Sequence, residues 1–218
     1  MTQSLQLYLG QIRRIDDEGQ FTGIYKFPAD GPRELTREGF VGDQQADRRV
    51  HGGPEKAVHH YPARNYPQLA REFPLLAEAL IPGSMGENIS TAEGDQETVQ
   101  IGDIYRLGSA LVQVSQPRTP CWKIDHRYGI KGLTQFIAAT GLTGWYYRVL
   151  EPGWVAPGDP WQLVERPAGT VPLAELLALW RQHRPDLDTL ARLGAAPCLN
   201  ASWQKKISDR LAWLKANQ

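Results

Sequence analysis

Val99-Gln100-Ile101-Gly102-Asp103-Ile104-Tyr105-Arg106-Leu107-Gly108-Ser109-Ala110-Leu111-Val112-Gln113-Val114 holds three short apolar-rich runs, Val99 to Ile101, Ile104 to Leu107 and Leu111 to Val114. Gly102-Asp103 and Gly108-Ser109 separate them, and such pairs make tight turns between antiparallel strands, so the segment predicts a β meander. Outward from it the chain keeps this character. Its 218 residues include 21 Gly and 16 Pro, a content that favours turns and short strands over long helices. In Met1 to Ile12 the residues Leu5, Leu7 and Leu9 alternate with other side chains, and no basic residue precedes an apolar run. That pattern predicts a strand and not a leader peptide. Within residues 1–169 helical signal is confined to Asn65–Leu80, which Pro74 must break or kink, and Leu133–Thr140, which Gly141 can end. The expected class is mostly β with short inserted helices, an α+β fold.

The composition changes near residue 170. Residues 1–169 hold 33 of the 37 Gly and Pro residues, with 17 basic against 20 acidic side chains; residues 170–218 hold four, with seven basic against four acidic. In the second segment Leu173, Leu176, Leu177 and Trp180, then Leu187, Leu190 and Leu193, then Trp203, Ile207, Leu211 and Leu214 recur at helical spacing, with Pro185 and Pro197 between the runs. Two domains are expected: a β domain over 1–169 and a three-helix domain over 170–218. The second is too short to bury much surface alone, so it should pack on the first.

Over the whole chain 24 Lys and Arg balance 24 Asp and Glu. Nothing draws the molecule as a whole to nucleic acid or to an anionic membrane, so any anion site must be local. The longest uncharged run, Gly132 to Tyr147, is 16 residues with two internal glycines, too short to span a bilayer. A cytoplasmic protein without nucleic-acid or membrane partners is expected. Its two cysteines, Cys121 and Cys198, default to free thiols in that compartment.

Two loops carry chemistry. Val50-His51-Gly52-Gly53-Pro54-Glu55-Lys56-Ala57-Val58-His59-His60-Tyr61 places three of the five histidines within ten residues. Gly52 and Gly53 would let the backbone approach a ligand, and Lys56 with the imidazoles would supply donors to a phosphate; a turn with satisfied histidines explains the same residues. In Val112-Gln113-Val114-Ser115-Gln116-Pro117-Arg118-Thr119-Pro120-Cys121-Trp122-Lys123 a strand stops at a proline and delivers a cysteine between two cations. Arg118 and Lys123 would favour its thiolate, the form that attacks electrophiles and binds soft metals; a small buried thiol is the plainer alternative. Cys198, in Ala195-Ala196-Pro197-Cys198-Leu199, reads as core.

In order along the chain, His51-Gly52-Gly53-Pro54-Glu55-Lys56-Ala57, Gly86-Glu87-Asn88-Ile89 and Pro117-Arg118-Thr119-Pro120-Cys121 resemble the MOSC family, named for the C-terminal domain of molybdenum-cofactor sulfurase. The resemblance covers about residues 5 to 165. It implies a β-barrel-like domain that binds the molybdenum cofactor (Mo-molybdopterin), with Cys121 as the protein ligand to the metal. The anionic pterin phosphate would draw on His51, Gly52, Gly53, Lys56 and Arg118, with Asn88 and Thr119 as neutral partners. The implied activity is reduction of N-hydroxylated small molecules, such as hydroxylaminopurines and amidoximes. His59 or His60 would supply protons, since imidazole titrates near neutral pH. The chain has no Cys-rich run and no flavin or nicotinamide fingerprint, so a separate flavoprotein reductase is expected to donate electrons. A homodimer is left open. The rival readings are a Cys121 persulfide carrier in metal-cofactor biosynthesis, a non-enzymatic module holding phosphate or zinc, and a Cys-His hydrolase.

Overall fold

The computed structural model describes residues 4–15 and 19–217, the side chain of Arg49 excepted. Met1 to Gln3 of the expected N-terminal strand lie outside that range. Eight strands build the main sheet: β1 (Leu5–Leu9), β2 (Phe27–Pro28), β3 (Val58–His60), β4 (Ile89–Thr91), β5 (Ile104–Leu107), β6 (Ala110–Pro117), β7 (Trp145–Glu151) and β8 (Trp161–Glu165). Their order is β8-β5-β6-β7-β3-β4-β1-β2, antiparallel throughout except for the parallel β3–β4 pair.

Gly108-Ser109 forms the two-residue turn expected of it, with Leu107 opposite Ala110 and Gly108 at φ 54°, a conformation open to glycine. The first run of the meander behaves differently. Gln100–Ile101 pairs with Val171–Pro172 in a separate ribbon, and β8 takes the expected place beside β5. Asp103 explains this: its carboxylate accepts from Gln100 N at 2.8 Å and from Arg166 Nη2 at 2.7 Å, so the turn is tied off before the strands can pair.

The sheet curls until its far ends meet. Ser4 bridges Pro160, Leu5 N donates to Asp159 O and Gly158 N donates to Leu5 O, each at 2.9 Å. One bridge is not a ladder, so the barrel implied by the resemblance is curled but not closed.

Among the described residues seven α-helices follow in chain order: α1 (Arg48–His51), α2 (Tyr66–Glu72), α3 (Lys123–Tyr128), α4 (Leu133–Thr140), α5 (Leu173–Arg181), α6 (Leu187–Gly194) and α7 (Ala201–Ala216). Pro74 ends the α2 region as expected, opening a single 3-10 turn, Pro74–Leu76. The last two helices carry side-chain caps, Asp186 to Thr189 N at 2.8 Å and Asn200 to Ser202 N at 2.7 Å. Each such cap stabilises its helix by about 1 kcal/mol. Val112, Val114, Tyr147 and Leu107 of the sheet belong to one apolar cluster with Leu173, Leu176, Leu193, Trp203 and Ile207 of the helices. Fully burying a side chain of this size contributes about 1.5–3 kcal/mol, so the helices owe their stability to the shared core. Among the described residues no helix is long and apolar enough to cross a membrane.

Candidate active site

The site is laid out by three neighbouring strands. Gln116 on β6 stands opposite Tyr146 on β7, which stands opposite His59 on β3. Strand alternation sends the residues on either side of this row to the other face, where Trp145, Tyr147 and His60 are buried in an aromatic core. A bulge at Ser115 shifts the register just before Gln116. The bulged residue is tied from both sides: its Oγ donates to Glu55 O at 2.6 Å, and its carbonyl accepts from Asn200 N at 3.0 Å.

Beyond β6 the chain runs through Arg118, Thr119 and Pro120 to Cys121, then turns into α3. The Cys121 carbonyl accepts from Ile124 N at 2.9 Å and Thr134 Oγ1 at 3.3 Å, which fixes the backbone and leaves the half-buried thiol facing the site. Asp125 supports this corner by accepting from Thr134 N at 2.6 Å and Gly132 N at 3.0 Å.

Two clefts meet at Cys121. The first, about 600 Å³ with its open mouth included, is lined by His59, Gly86, Asn88, Arg118 and Lys26. The second, about 800 Å³ on the same measure, is lined by Gln116, Thr119, Trp122, Ser202 and Lys206. His51, Lys56, Cys121 and Tyr146 border both. Among the described residues lining either cleft, none is acidic. In a chain of zero net charge, this is a local concentration of cations.

The electrostatics follow from that concentration. Burial, then the positive charges of Arg118, Lys123 and Lys56, push the His51 imidazole down to about 4. Burial, then Arg118, holds His59 well below its ordinary value. Both rings are therefore neutral near pH 7. Two buried atoms of residues lining the first cleft have no hydrogen-bond partner, Arg118 Nη1 and His59 Nε2. Arg118 spends its other terminal nitrogen on Met85 O at 3.3 Å. A buried guanidinium nitrogen without an acceptor is costly, and an anion in the first cleft would satisfy it.

The expected residues therefore divide. Cys121, Arg118, His51, Lys56 and His59 converge on the clefts, and Thr119 lines the second. Asn88 lines the first cleft, but its side chain braces the wall: Nδ2 donates to Asp43 Oδ2 at 2.9 Å and Oδ1 accepts from His59 N at 3.2 Å. His60 is not brought to the clefts. Its ring nitrogens lie 3.0 Å from Tyr147 Oη and 2.9 Å from Thr91 Oγ1, and burial lowers its pKa to about 3, so at neutral pH it is not the imidazolium that a proton donor would have to be. Gly53 does adopt φ 83°, but neither glycine lines a cleft; a Cβ at Gly52 would stand 2.0 Å from Gln45 Oε1, so its close approach is to protein. Cys198 packs beside Gly102 and is a free thiol away from the site.

Sequence reasoning left Tyr146 among the core aromatics and missed Gln116 and Lys26. Tyr146 packs on His59 with ring centroids 5.2 Å apart, and strand alternation from the core residues Trp145 and Tyr147 would have pointed to it. Lys26 forms an ion pair with Asp43 at 2.6 Å, both side chains buried, and no local motif marks a pair 17 residues apart. Glu55 also takes a structural part. Its carboxylate accepts from Arg148 Nη2 at 2.7 Å and Asn200 Nδ2 at 3.2 Å, clamping the His-Gly-Gly loop to β7 and to α7.

Residues 47–162 match the family model described as the MOSC domain. The chain is 41% identical over 212 residues to Protein YiiM of Escherichia coli (strain K12), covering 96% of this chain and 93% of that protein. It is 36% identical over 195 residues to a protein of Gibberella moniliformis (strain M3125 / FGSC 7600) named Reductase, covering 88% of this chain and 35% of the relative. The crystal structure of YiiM from Escherichia coli superposes with a TM-score of 0.81 at 34% identity, covering all of this chain and 94% of that one. By this match of sequence, fold and motif positions, the chain belongs to the MOSC domain family.

Proposed function

We propose that this protein binds the molybdenum cofactor in the first cleft and uses it to reduce N-hydroxylated small molecules, with electrons from a separate flavoprotein reductase. The observation that carries the reading is one cleft lined by cations, by the half-buried Cys121 and by two residues with an unpartnered buried nitrogen, Arg118 Nη1 and His59 Nε2. The donor set fits the group. A soft thiolate suits a metal already held by sulfur, and the guanidinium suits a phosphate. Among the described residues no cluster of three or more His, Cys, Asp or Glu is placed to hold a metal ion, so a metal here has to bring most of its own ligands.

When bound, the cofactor supplies the two-electron chemistry that cleaves an N–O bond. Cys121 would hold its metal. Arg118 would take the phosphate, with Lys56 contributing positive potential from the junction of the clefts and the neutral His51 ring a hydrogen bond. His59, neutral and oriented by its strand, would serve as a hydrogen-bonding group, and a nearby dianion would raise its pKa towards the ordinary range. Asn88 and Lys26 position the wall. The reductase-named relative supports the reaction class, and we read residues 170–218 as a small three-helix domain that closes the second cleft.

The test is turnover. Protein made in cells that synthesise the pterin, given an N-hydroxylated purine and a reduced viologen dye, is expected to form the amine, and Cys121→Ser to fall to background at least ~1,000-fold lower. Equal rates in the two proteins would overturn the assignment.

A further inference from the structure

The second cleft has a chemistry of its own. Trp122 stands in its wall with half of its surface, 50%, exposed, its ring meeting His126 edge-on with centroids 5.9 Å apart. Gln116 lies in the same wall, 3% exposed, and its Oε1 has no hydrogen-bond partner. The same cleft is lined by two lysines from distant parts of the chain, Lys56 from the His-Gly-Gly loop, whose Nζ donates to Val50 O at 2.5 Å, and Lys206 from α7. Lys206 Nζ lies 5.4 Å from the Trp203 ring centroid. No described carboxylate neutralises either lysine: Glu55 is committed to Arg148 and Asn200, and Asp209 to Lys205. The lysines are close enough for Lys206 to help depress the pKa of Lys56, after burial as the main cause. A pair of like charges kept together without a counter-ion is destabilising unless an anion joins it.

We propose that the second cleft is a nucleoside monophosphate site, with Trp122 stacking on the base, Gln116 reading a donor on its edge, and Lys56 and Lys206 holding the phosphate. The inference rests on the reductase reading for its consequence, that the N-hydroxylated substrate is a nucleotide. The binding site itself does not need that reading. Each contact suits its part: indole faces stack on bases whatever their identity, a buried amide oxygen accepts from an exocyclic N–H, and two ammonium groups grip a dianion. A base in this cleft would meet Cys121 and Tyr146, the side chains shared with the first cleft.

The experiment titrates the purified full-length protein with AMP and with adenosine, neither of which can be reduced, by calorimetry. AMP is expected to bind about tenfold or more tightly than adenosine. Lys206→Ala, an exposed helix position, should keep its melting temperature, bind adenosine as before and lose the preference for AMP. Equal binding of AMP and adenosine would overturn the proposal, and so would an AMP preference that survives Lys206→Ala, which would put the phosphate in the first cleft. Turnover separates the two claims. If N-hydroxyadenosine and its monophosphate are both reduced, Lys206→Ala should raise KM for the phosphorylated substrate alone. An intact AMP preference with no turnover of either compound upholds the phosphate site and overturns the reductase reading.

Discussion

Asp43→Ala is expected to destabilise the protein by about 3–5 kcal/mol, because it strips the partner from a largely buried cation. The Lys26 and Asp43 side chains are 6% and 2% exposed, so little solvent reaches either. Asp43 also accepts from Gly10 N at 2.8 Å and Asn88 Nδ2 at 2.9 Å, and both donors would lose that acceptor. The first cleft would loosen as well, since Asn88 carries the bond to His59 N. Urea denaturation of the wild type and the variant measures the difference. The double variant Lys26→Met with Asp43→Leu removes both charges together and should recover most of the loss. A loss below about 1 kcal/mol for Asp43→Ala would show that the pair is solvated and that the wall of the cleft does not depend on it.

Arg118→Met should separate stability from function. The substitution keeps much of the side-chain volume and removes a buried cation with an unpartnered Nη1, so the fold should be as stable as the wild type or more so. Pterin retention and turnover should fall by at least about 100-fold, the loss expected when a buried charge-assisted contact to a phosphate goes. His51 reports the change independently. Arg118 is the largest charge effect holding that imidazole down at about 4, so its pKa should rise in the variant, visible by NMR as titration closer to the ordinary range. The sign matters for stability. A histidine depressed in the folded state loses stability as pH falls from about 6.5 towards its folded pKa, so the variant should also resist mild acid better. A destabilised variant with unchanged pterin content would mean that Arg118 is a structural residue.

Much of this architecture was legible because it is local. The Gly108-Ser109 turn, the break at Pro74, the end of α4 at Gly141 and the three C-terminal helices are each written in a few adjacent residues. The misplaced run was Val99–Ile101, whose pairing depends on Arg166 reaching Asp103 from 63 residues away. The site divides in the same way. Cys121 and Arg118 declared themselves by a proline-flanked cysteine between cations, and both reach the clefts. His59 and His60 looked equivalent in sequence, yet strand alternation sends one to the cleft and the other into the aromatic core. Lys206 could not be read as a site residue at all, because only the packing of α7 against the sheet brings it beside Lys56.

The most direct measurement is molybdenum and pterin content per chain, wild type against Cys121→Ser, in protein from a host that makes the cofactor. About one molybdenum per chain in the wild type, lost in the variant while its melting temperature is kept, is the result expected of a thiolate ligand. Equal molybdenum in the two proteins, or a wild type that carries cyanide-labile sulfur on Cys121 and no metal, would contradict it.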